Sequence, residues 1–155
     1  MKFRTTISVL GAALVLLPSL VLAQTPSKYT AQELANRQAV LAFYELGLNQ
    51  KKADEALKYV GNRYVQHNPT APDGPEGFRK FVAFLSEKYP QSHSEIKESF
   101  VDGDTVILHV HSVREPGTRG NAIVDIFKLE DGKIVEHWDV VQPIPEKSAN
   151  NNTMF

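Results

Sequence analysis

Two neighbouring segments of the chain carry the residue types that could do acid–base chemistry. Residues 123–129 and 133–140 show the alternation of apolar and polar residues that is typical of β-strands. Because successive strand residues face opposite sides of a sheet, Asp125 shares its face with the apolar Ile123 and Phe127. Burying a carboxylate there is costly unless it is protonated or paired. The pattern predicts that Asp125 is a general acid or base, or a structural pairing group within the sheet.

A histidine and a second carboxylate follow on the next predicted strand. His137 and Asp139 stand two residues apart and so share one face. A three-residue turn with Gly132 in the left-handed conformation would place Asp125 opposite His137, whereas a two-residue Asp-Gly turn would place Trp138 there. We favour the first turn, because it gathers two carboxylates and an imidazole on one wall. The alternative is that the histidine and second carboxylate form a solvated edge.

A third candidate lies where a short extended segment ends. Residues 62–67 stop before Asn68-Pro69, because a residue that precedes proline disfavours helix. We predict that His67 and Asn68 line the mouth of a cavity, with local hydrogen bonding as the alternative role of His67. The expected site residues are therefore catalytic Asp125, Asp139, His137 and His67, and ligand-binding Asn68, His109, Phe127 and Tyr64.

The other histidines do not predict a metal site. His109 and His111 share one strand face, and such a pair can bind a metal ion. A metal site needs three or more converging ligands, however, and no carboxylate lies near this pair in the sequence. The chain has no Cys, which excludes disulfides, thiolate ligands and a Cys nucleophile. We therefore expect neither a metal nor another cofactor.

Three helices are predicted ahead of the strands. Thr30 and Glu33 have the spacing of a capping box at the start of a helix of residues 30–49, in which leucines recur every seven residues. A shorter helix covers residues 52–60. A third covers residues 74–89, with one proline in its first turn and another directly after its end.

The hydrophobic period then changes from helical spacing to two. This predicts strands near residues 94–101, 104–115, 120–129 and 133–142. The connections between them are short, so the strands form an antiparallel meander. Three helices that cover one face of a curved antiparallel sheet give an α+β, cone-shaped barrel, and the open end of such a cone encloses a pocket.

The first residues of the chain have the pattern of a secretory signal peptide. Lys2 and Arg4 precede an apolar run over residues 7–22, and small residues surround the expected cleavage site at the end of segment 1–23. A membrane anchor is the alternative, but the run is short for a span and Pro18 interrupts it. We therefore expect an exported protein, periplasmic or secreted, that leaves the membrane after cleavage.

The rest of the chain divides into a leader of residues 24–29, one domain of residues 30–145 and a polar tail of residues 146–155. Removing Lys2 and Arg4 from the 17 basic residues leaves 15 against 18 acidic ones, a net charge of −3. This balance attracts neither nucleic acid nor an anionic membrane. The tail ends in Met-Phe, which could dock on the domain or on a partner subunit, or remain disordered.

Three motifs, taken in order, resemble the SnoaL-like polyketide cyclase family of the nuclear transport factor 2-like superfamily. They are YVQHNP at 64–69, DIF at 125–127 and DGKIVEHWD at 131–139, within a resemblance that covers about residues 30–145. The resemblance implies a cone-shaped α+β barrel that is often a homodimer through the outer face of its sheet. It also implies intramolecular aldol condensation without a cofactor, as in the cyclases of the family.

The resemblance further implies roles for individual residues. In the cyclases an acidic residue on the last strand is the acid–base group and a polar residue one strand earlier assists it, at positions similar to Asp139 and Asp125. The related ketosteroid isomerases place a carboxylic acid oxyanion donor at a position like Asp125. Their proton-shuttling Asp would fall near His67 or Asn68, where no carboxylate stands, which argues against the same isomerase chemistry.

Together these observations predict a cofactor-free enzyme that moves protons next to a carbonyl group, as an aldol-type cyclase, an isomerase or a dehydratase. Asp139, alone or with His137, would remove an α-proton, and a protonated Asp125 with His67 or Asn68 would stabilise the enolate oxygen. The expected partner is a small apolar or carbonyl-containing molecule. The first alternative is a non-catalytic protein that binds a small apolar ligand in the same pocket, since export is unusual for polyketide tailoring. The second is a dimeric partner-binding module.

Overall fold

A computed structural model describes residues 28–155, so the predicted signal peptide and most of the predicted leader lie outside the described residues. The helices are α1 (Ala31–Tyr44), which continues as a π-helical turn (Glu45–Asn49), α2 (Ala53–Ala56), which continues as a 3₁₀ turn (Leu57–Tyr59), and α3 (Gly74–Lys88). The strands are β1 (Val60–Gln66), β2 (His93–Asp102), β3 (Thr105–Val113), β4 (Asn121–Glu130) and β5 (Lys133–Pro143). Within residues 28–155, no helix combines the length and the apolar character needed to span a bilayer.

Local signals set the helix boundaries close to the predicted ones. The Thr30 hydroxyl accepts a hydrogen bond from the Glu33 backbone N–H, and the Glu33 carboxylate accepts one from the Thr30 N–H, which is the predicted capping box. Helix α1 buries Val40, Phe43 and Tyr44 against the sheet, where they join the core. The capping box thus begins α1 at a point that brings Tyr44, near its end, over the centre of the sheet.

The five strands form one mixed sheet in the order β1-β5-β4-β3-β2. Strands β2 to β5 make the predicted antiparallel meander. The sequence did not predict that β1 also joins the sheet, parallel to β5, with Gln66 beside His137. Parallel neighbours are connected through long stretches of chain, so no local turn signal marks this pairing. The pairing brings the residues at the end of β1 next to the predicted site on β5.

The connection between β4 and β5 decides which residues share a face. The turn is the two-residue Asp131–Gly132, with φ of 49° and 73°, and Val135 then forms a β-bulge in β5. As a result Asp125 lies opposite Asp139, and both registers expected from the sequence are wrong. The two-residue turn alone would turn His137 and Asp139 to the outer face. The bulge adds one residue to β5, which returns both of them to the inner face. Asp125, His137 and Asp139 therefore do share the inner face of the sheet.

The helices cover that inner face and leave a cavity of about 580 Å³ between themselves and the sheet. Aromatic and aliphatic side chains from α1, α3, β1, β3 and β4 form the core around it, including Val40, Phe43, Tyr64, Phe78, Leu108 and Phe127. The fold is therefore the expected α+β cone with a pocket.

The C-terminal tail returns to the outer face of the sheet. The Phe155 ring lies 4.8 Å from the His111 ring and 5.2 Å from the His109 ring, between ring centroids, and the Lys97 ammonium group lies 5.5 Å from the Phe155 centroid. Of the outcomes left open for the tail, the structure therefore shows docking on its own domain.

A glycine on α3 fits the helix against the loop that carries Asn68. A Cβ added at Gly77 would overlap the carbonyl oxygen of Pro72. We expect Gly77→Ala to displace this loop and to lower the free energy of unfolding by about 1–3 kcal/mol, the usual cost of overpacking. Urea denaturation measures this, with Ser86→Ala on the exposed side of α3 as the control. An unchanged unfolding midpoint for Gly77→Ala would contradict the contact.

Candidate active site

The centre of the cavity wall is a buried carboxylate–imidazole pair. His137 Nε2 lies 2.9 Å from Asp125 Oδ1, and the two residues are 8% and 4% exposed. The Phe127 ring packs against the His137 ring with centroids 4.7 Å apart, which restricts rotation of the imidazole. Both members of the pair line the cavity. The pair is therefore rigid and shielded from bulk water, yet within reach of a ligand.

Gln66 at the end of β1 fixes the tautomer of this imidazole. Gln66 Oε1 accepts a hydrogen bond from the Asn68 backbone N–H (3.2 Å) and lies 2.7 Å from His137 Nδ1. Since a backbone N–H can only donate, the Gln66 atom at this point is the amide oxygen, which can only accept. His137 Nδ1 must therefore carry a hydrogen and donate it to Gln66.

The orientation of Gln66 determines what lies between His137 and Asp125. With a hydrogen on Nδ1, the 2.9 Å contact from Nε2 to Asp125 is a hydrogen bond only if one more proton lies between the two atoms. That proton belongs either to a carboxylic acid beside a neutral imidazole or to an imidazolium beside a carboxylate. In both cases the pair has no net charge and holds one transferable proton, which suits a general acid.

A tyrosine from α1 completes the surroundings of Asp125. The Tyr44 hydroxyl donates to Asp125 Oδ2 at 3.1 Å. Burial raises the pKa of Tyr44 well above its ordinary value, and the nearby Asp125 charge raises it further. Tyr44 therefore keeps its proton at neutral pH and remains a hydrogen-bond donor to Asp125.

The second carboxylate is held separately, by a loop residue. Asn68 Nδ2 donates to both oxygens of Asp139, at 2.9 and 2.6 Å. Asn68 Oδ1 accepts from the backbone N–H and the hydroxyl of Thr70, which fixes the orientation of the amide. Asp139 is half-buried and lines the cavity. Since Asn68 holds Asp139 by donating hydrogen bonds, Asp139 presents acceptor oxygens to a ligand and suits the role of a base.

One group of residues has the composition of a metal site. Ligand atoms of Asp125, His137 and Asp139 all lie within 4.8 Å of one another. Hydrogen bonds within the protein already engage the His137 nitrogen and the carboxylate oxygens that would bind an ion. The cluster is complete as a proton-transfer site, and we interpret it in that way. A metal ion would have to displace the proton shared by the first two residues.

Two of the expected site residues lie outside the cavity. His67 stacks on Trp138 with ring centroids 4.5 Å apart and contacts Glu136 at 2.8 Å, on the outer side of the sheet. His109 faces outwards against Phe155. The structure therefore places neither His67, expected at the cavity mouth, nor His109 in the cavity lining. Strand alternation accounts for both, since their immediate neighbours in the sequence are the inward residues.

The other predicted site residues do line the cavity, namely Asp125, Asp139, His137, Asn68, Phe127 and Tyr64. Sequence reasoning missed Gln66 and Tyr44. Gln66 has the same strand parity as Tyr64 and Asn68, so alternation could have identified it in place of His67. Tyr44 lies within the predicted helix of residues 30–49, and no local signal reveals its hydrogen bond to a residue 81 positions away.

Comparison with known families agrees with this arrangement. The family model described as a SnoaL-like domain matches residues 40–137, which is more than half of the chain. The chain therefore belongs to the SnoaL-like domain family, and the resemblance seen in the sequence is confirmed. The comparison with curated proteins gave no match.

Solved structures with the same fold come from several bacteria. They include a SnoaL-like polyketide cyclase from Agrobacterium tumefaciens (17% identity, 69% of this chain and 91% of that chain covered, TM-score 0.57). TsrD from Streptomyces laurentii is similar (19%, 69% and 88%, 0.57), as is an uncharacterised cystatin-fold protein from Novosphingobium aromaticivorans (23%, 68% and 97%, 0.59). At these identities the likeness shows the fold alone.

The role of Gln66 can be tested by its effect on the tautomer of His137. We expect Gln66→Leu to leave His137 Nδ1–H without an acceptor, at a cost of about 1–3 kcal/mol of unfolding free energy. Gln66→Glu keeps an acceptor oxygen and should retain the hydrogen on Nδ1. ¹⁵N NMR of the imidazole at neutral pH distinguishes the two nitrogens. Finding the hydrogen mainly on Nε2 in the wild type would contradict the assignment.

The two buried phenols predict a loss of stability at alkaline pH. Burial raises the pKa of Tyr44 and of Tyr64 above the ordinary value of 10.0. A group with a raised pKa contributes stability that is fully present below pH 10.0 and is lost as the pH rises towards the pKa in the folded protein. We expect unfolding free energy to fall above pH 10, by at most about 1.4 kcal/mol per pH unit for each phenol. Tyr44→Phe and Tyr64→Phe should each reduce that slope in urea titrations, and slopes equal to the wild type would contradict the prediction.

Proposed function

We propose that this protein catalyses cofactor-free proton transfer next to the carbonyl group of a small molecule, as an aldol-type cyclase, isomerase or dehydratase does. The observation that carries the proposal is the buried contact between Asp125 and His137, beside the carboxylate of Asp139, in one cavity wall. Enolisation needs a base for the α-proton and an acid for the carbonyl oxygen, and the two must act together. The site holds one group of each kind.

The proposed step conserves protons. Asp139 accepts the α-proton and becomes a carboxylic acid, while the C–H electron pair moves to form the enol double bond. The Asp125–His137 pair donates its shared proton to the carbonyl oxygen, so the enol forms without free charge. In each outcome the enol O–H proton returns to the Asp125–His137 pair as the carbonyl reforms. Isomerisation follows when Asp139 delivers its proton to a different carbon. Aldol cyclisation follows when the enol carbon attacks a second carbonyl, whose oxygen takes the Asp139 proton, and dehydration follows when a β-hydroxyl group leaves as water with that proton.

The cavity favours this chemistry over reaction in water. Phe43, Tyr64, Phe78 and Phe127 provide much of its apolar wall. In such surroundings the interactions of the acid and the base with the reacting atoms are stronger than in water. Family membership supports a cyclase-type or small-molecule-binding role in general terms.

Asparagine substitutions test the acid and the base separately. We expect Asp139→Asn and Asp125→Asn each to slow α-proton exchange of cyclic ketones and 3-oxo esters in D₂O, followed by ¹H NMR. The expected loss is about 10²–10⁴-fold, the usual contribution of a general acid or base. Asp102→Asn, on an exposed position at the end of β2, is the matched control.

Other outcomes of that assay select the competing functions. Normal exchange in both Asp variants would refute the assignment. Wild-type protein that binds the compounds but never exchanges their protons would indicate a binding protein without catalysis. Exchange that stops on treatment with EDTA and returns with a divalent cation would make Asp125, His137 and Asp139 metal ligands instead.

We also propose that a second copy of the chain covers the part of the outer face of the sheet that the C-terminal tail leaves exposed. Phe100, Val124 and Val140 on that face are 45%, 40% and 69% exposed, and Trp138 lies beside them. Adjacent exposed apolar side chains of this size are typical of an interface. We expect sedimentation equilibrium to show a dimer for the wild type and a monomer for Val140→Lys. A monomeric wild type would refute the proposal.

We propose that the protein acts outside the cytoplasm. The support is the basic, apolar and small-residue pattern of residues 1–23. N-terminal sequencing of protein from the exported fraction of its own cells should begin at Gln24. Recovery of the uncleaved chain from the cytosol would contradict this.

A further inference from the structure

The cavity has a second polar end, away from the acid–base cluster. On β3 and β4 the inward residues change from apolar to polar at Ser112 and Asn121, which are paired across the two strands. Asn121 lies four residues from Asp125 along β4, a distance of about 13 Å in a strand. The two ends can therefore hold different groups of one small ligand.

The cavity lining also holds two cationic side chains, and one of them, Arg114, lies two residues beyond Ser112 at this second end. Arg114 and Lys80 line the cavity, and within the described part of the chain neither forms an ion pair. Apart from these cations and the acid–base cluster, the lining that residues 28–155 provide is uncharged. Cations that line a cavity without carboxylate partners are available to bind an anion.

The guanidinium of Arg114 is held in position by aromatic side chains. Its Cζ lies 5.8 Å from the ring centroid of Tyr89, the residue that ends α3. Tyr89 in turn packs edge-on against Phe84, another residue of the cavity lining, with centroids 5.6 Å apart. A cation–π contact of this kind orients the charge without neutralising it. Arg114 is an exposed residue, and its charge remains available where it lines the cavity.

Two neutral groups at the same end have no hydrogen-bond partner in the part of the chain that the structure describes. The Ser92 hydroxyl is buried, and it has no partner among residues 28–155. The Asn121 side chain also makes no hydrogen bond within that range. A buried polar group without a partner costs about 1–3 kcal/mol. An anionic oxygen of a ligand would accept a hydrogen bond from both groups.

We propose that Ser92, Arg114 and Asn121 form an anion subsite that binds a carboxylate or phosphate group of the substrate. The proposal rests on the proposed function for the other end of that molecule, which carries the reacting carbonyl. The Asp139 carboxylate repels an anion from the acid–base end, so the two ends together fix the direction in which the substrate binds. The substrate class is therefore a small, largely apolar oxo acid or oxo phosphate.

Matched aromatic probes test the anion subsite without any need for turnover. The probes are 2-naphthoate, 2-naphthyl phosphate and the neutral 2-naphthamide, with affinities from calorimetry and binding positions from amide NMR shifts. We expect at least one anion to bind about tenfold more tightly than the amide, as hydrogen bonds to a charged group predict. The tighter of the two anions identifies the group that the subsite prefers. The shifts should concentrate at Ser92, Arg114 and Asn121.

Charge-removing variants separate this proposal from its alternatives. Arg114→Gln should weaken binding of the anions to the level of the amide and leave amide binding unchanged, with a smaller effect for Lys80→Gln. Arg119→Gln and Lys88→Gln, which remove exposed charges outside the cavity lining, are the controls. Equal affinity for all three probes, or an equal loss for anions and amide in Arg114→Gln, would overturn the subsite. If the wild type prefers the anions but exchanges no protons, the acid–base proposal is refuted and the anion subsite is retained.

Discussion

The chemistry of this protein depends on one buried contact, the 2.9 Å hydrogen bond between His137 and Asp125. A buried acid beside a buried imidazole is stable only when the pair is neutral overall and its other hydrogen-bonding atoms have partners. Gln66 on β1 and Tyr44 on α1 supply those hydrogen-bond partners, and the Phe127 ring on β4 packs against the imidazole. Strand β1, helix α1 and the sheet must therefore all be in place before the site exists, and its integrity is linked to that of the whole domain.

The elements with local signals were predicted well from the sequence. The capping box at Thr30 and Glu33, the proline-led start of α3 and the short connections between β2 and β5 each depend on residues close together in the chain. The register between β4 and β5 was not predicted correctly, because a bulge at Val135 follows a two-residue turn. A bulge depends on how the strand packs on both sides, and the hydrophobic pattern does not record it.

The candidate site was predicted where it lies on the β4–β5 hairpin and less well elsewhere. Asp125, His137 and Asp139 were found because alternation assigns residues to faces. Gln66 and Tyr44 were missed, since their contacts depend on a parallel strand pairing and on the position of α1 over the sheet. Both residues lie far in the sequence from the groups that they hold, and sequence spacing does not show such contacts.

The acid–base residues lie on the β4–β5 hairpin and not on α3, which has a consequence for how such a protein can evolve. The acid and the base lie on two adjacent strands of one rigid sheet, whereas Lys80, Phe81 and Phe84 contact the cavity from a surface helix. Substitutions on α3 can change the size, charge and shape of the accepted molecule while the proton-transfer geometry stays as it is. A duplicated gene could thus acquire a new substrate in single steps, each of which leaves a working catalyst. The same division makes α3 the helix to randomise in a directed-evolution library.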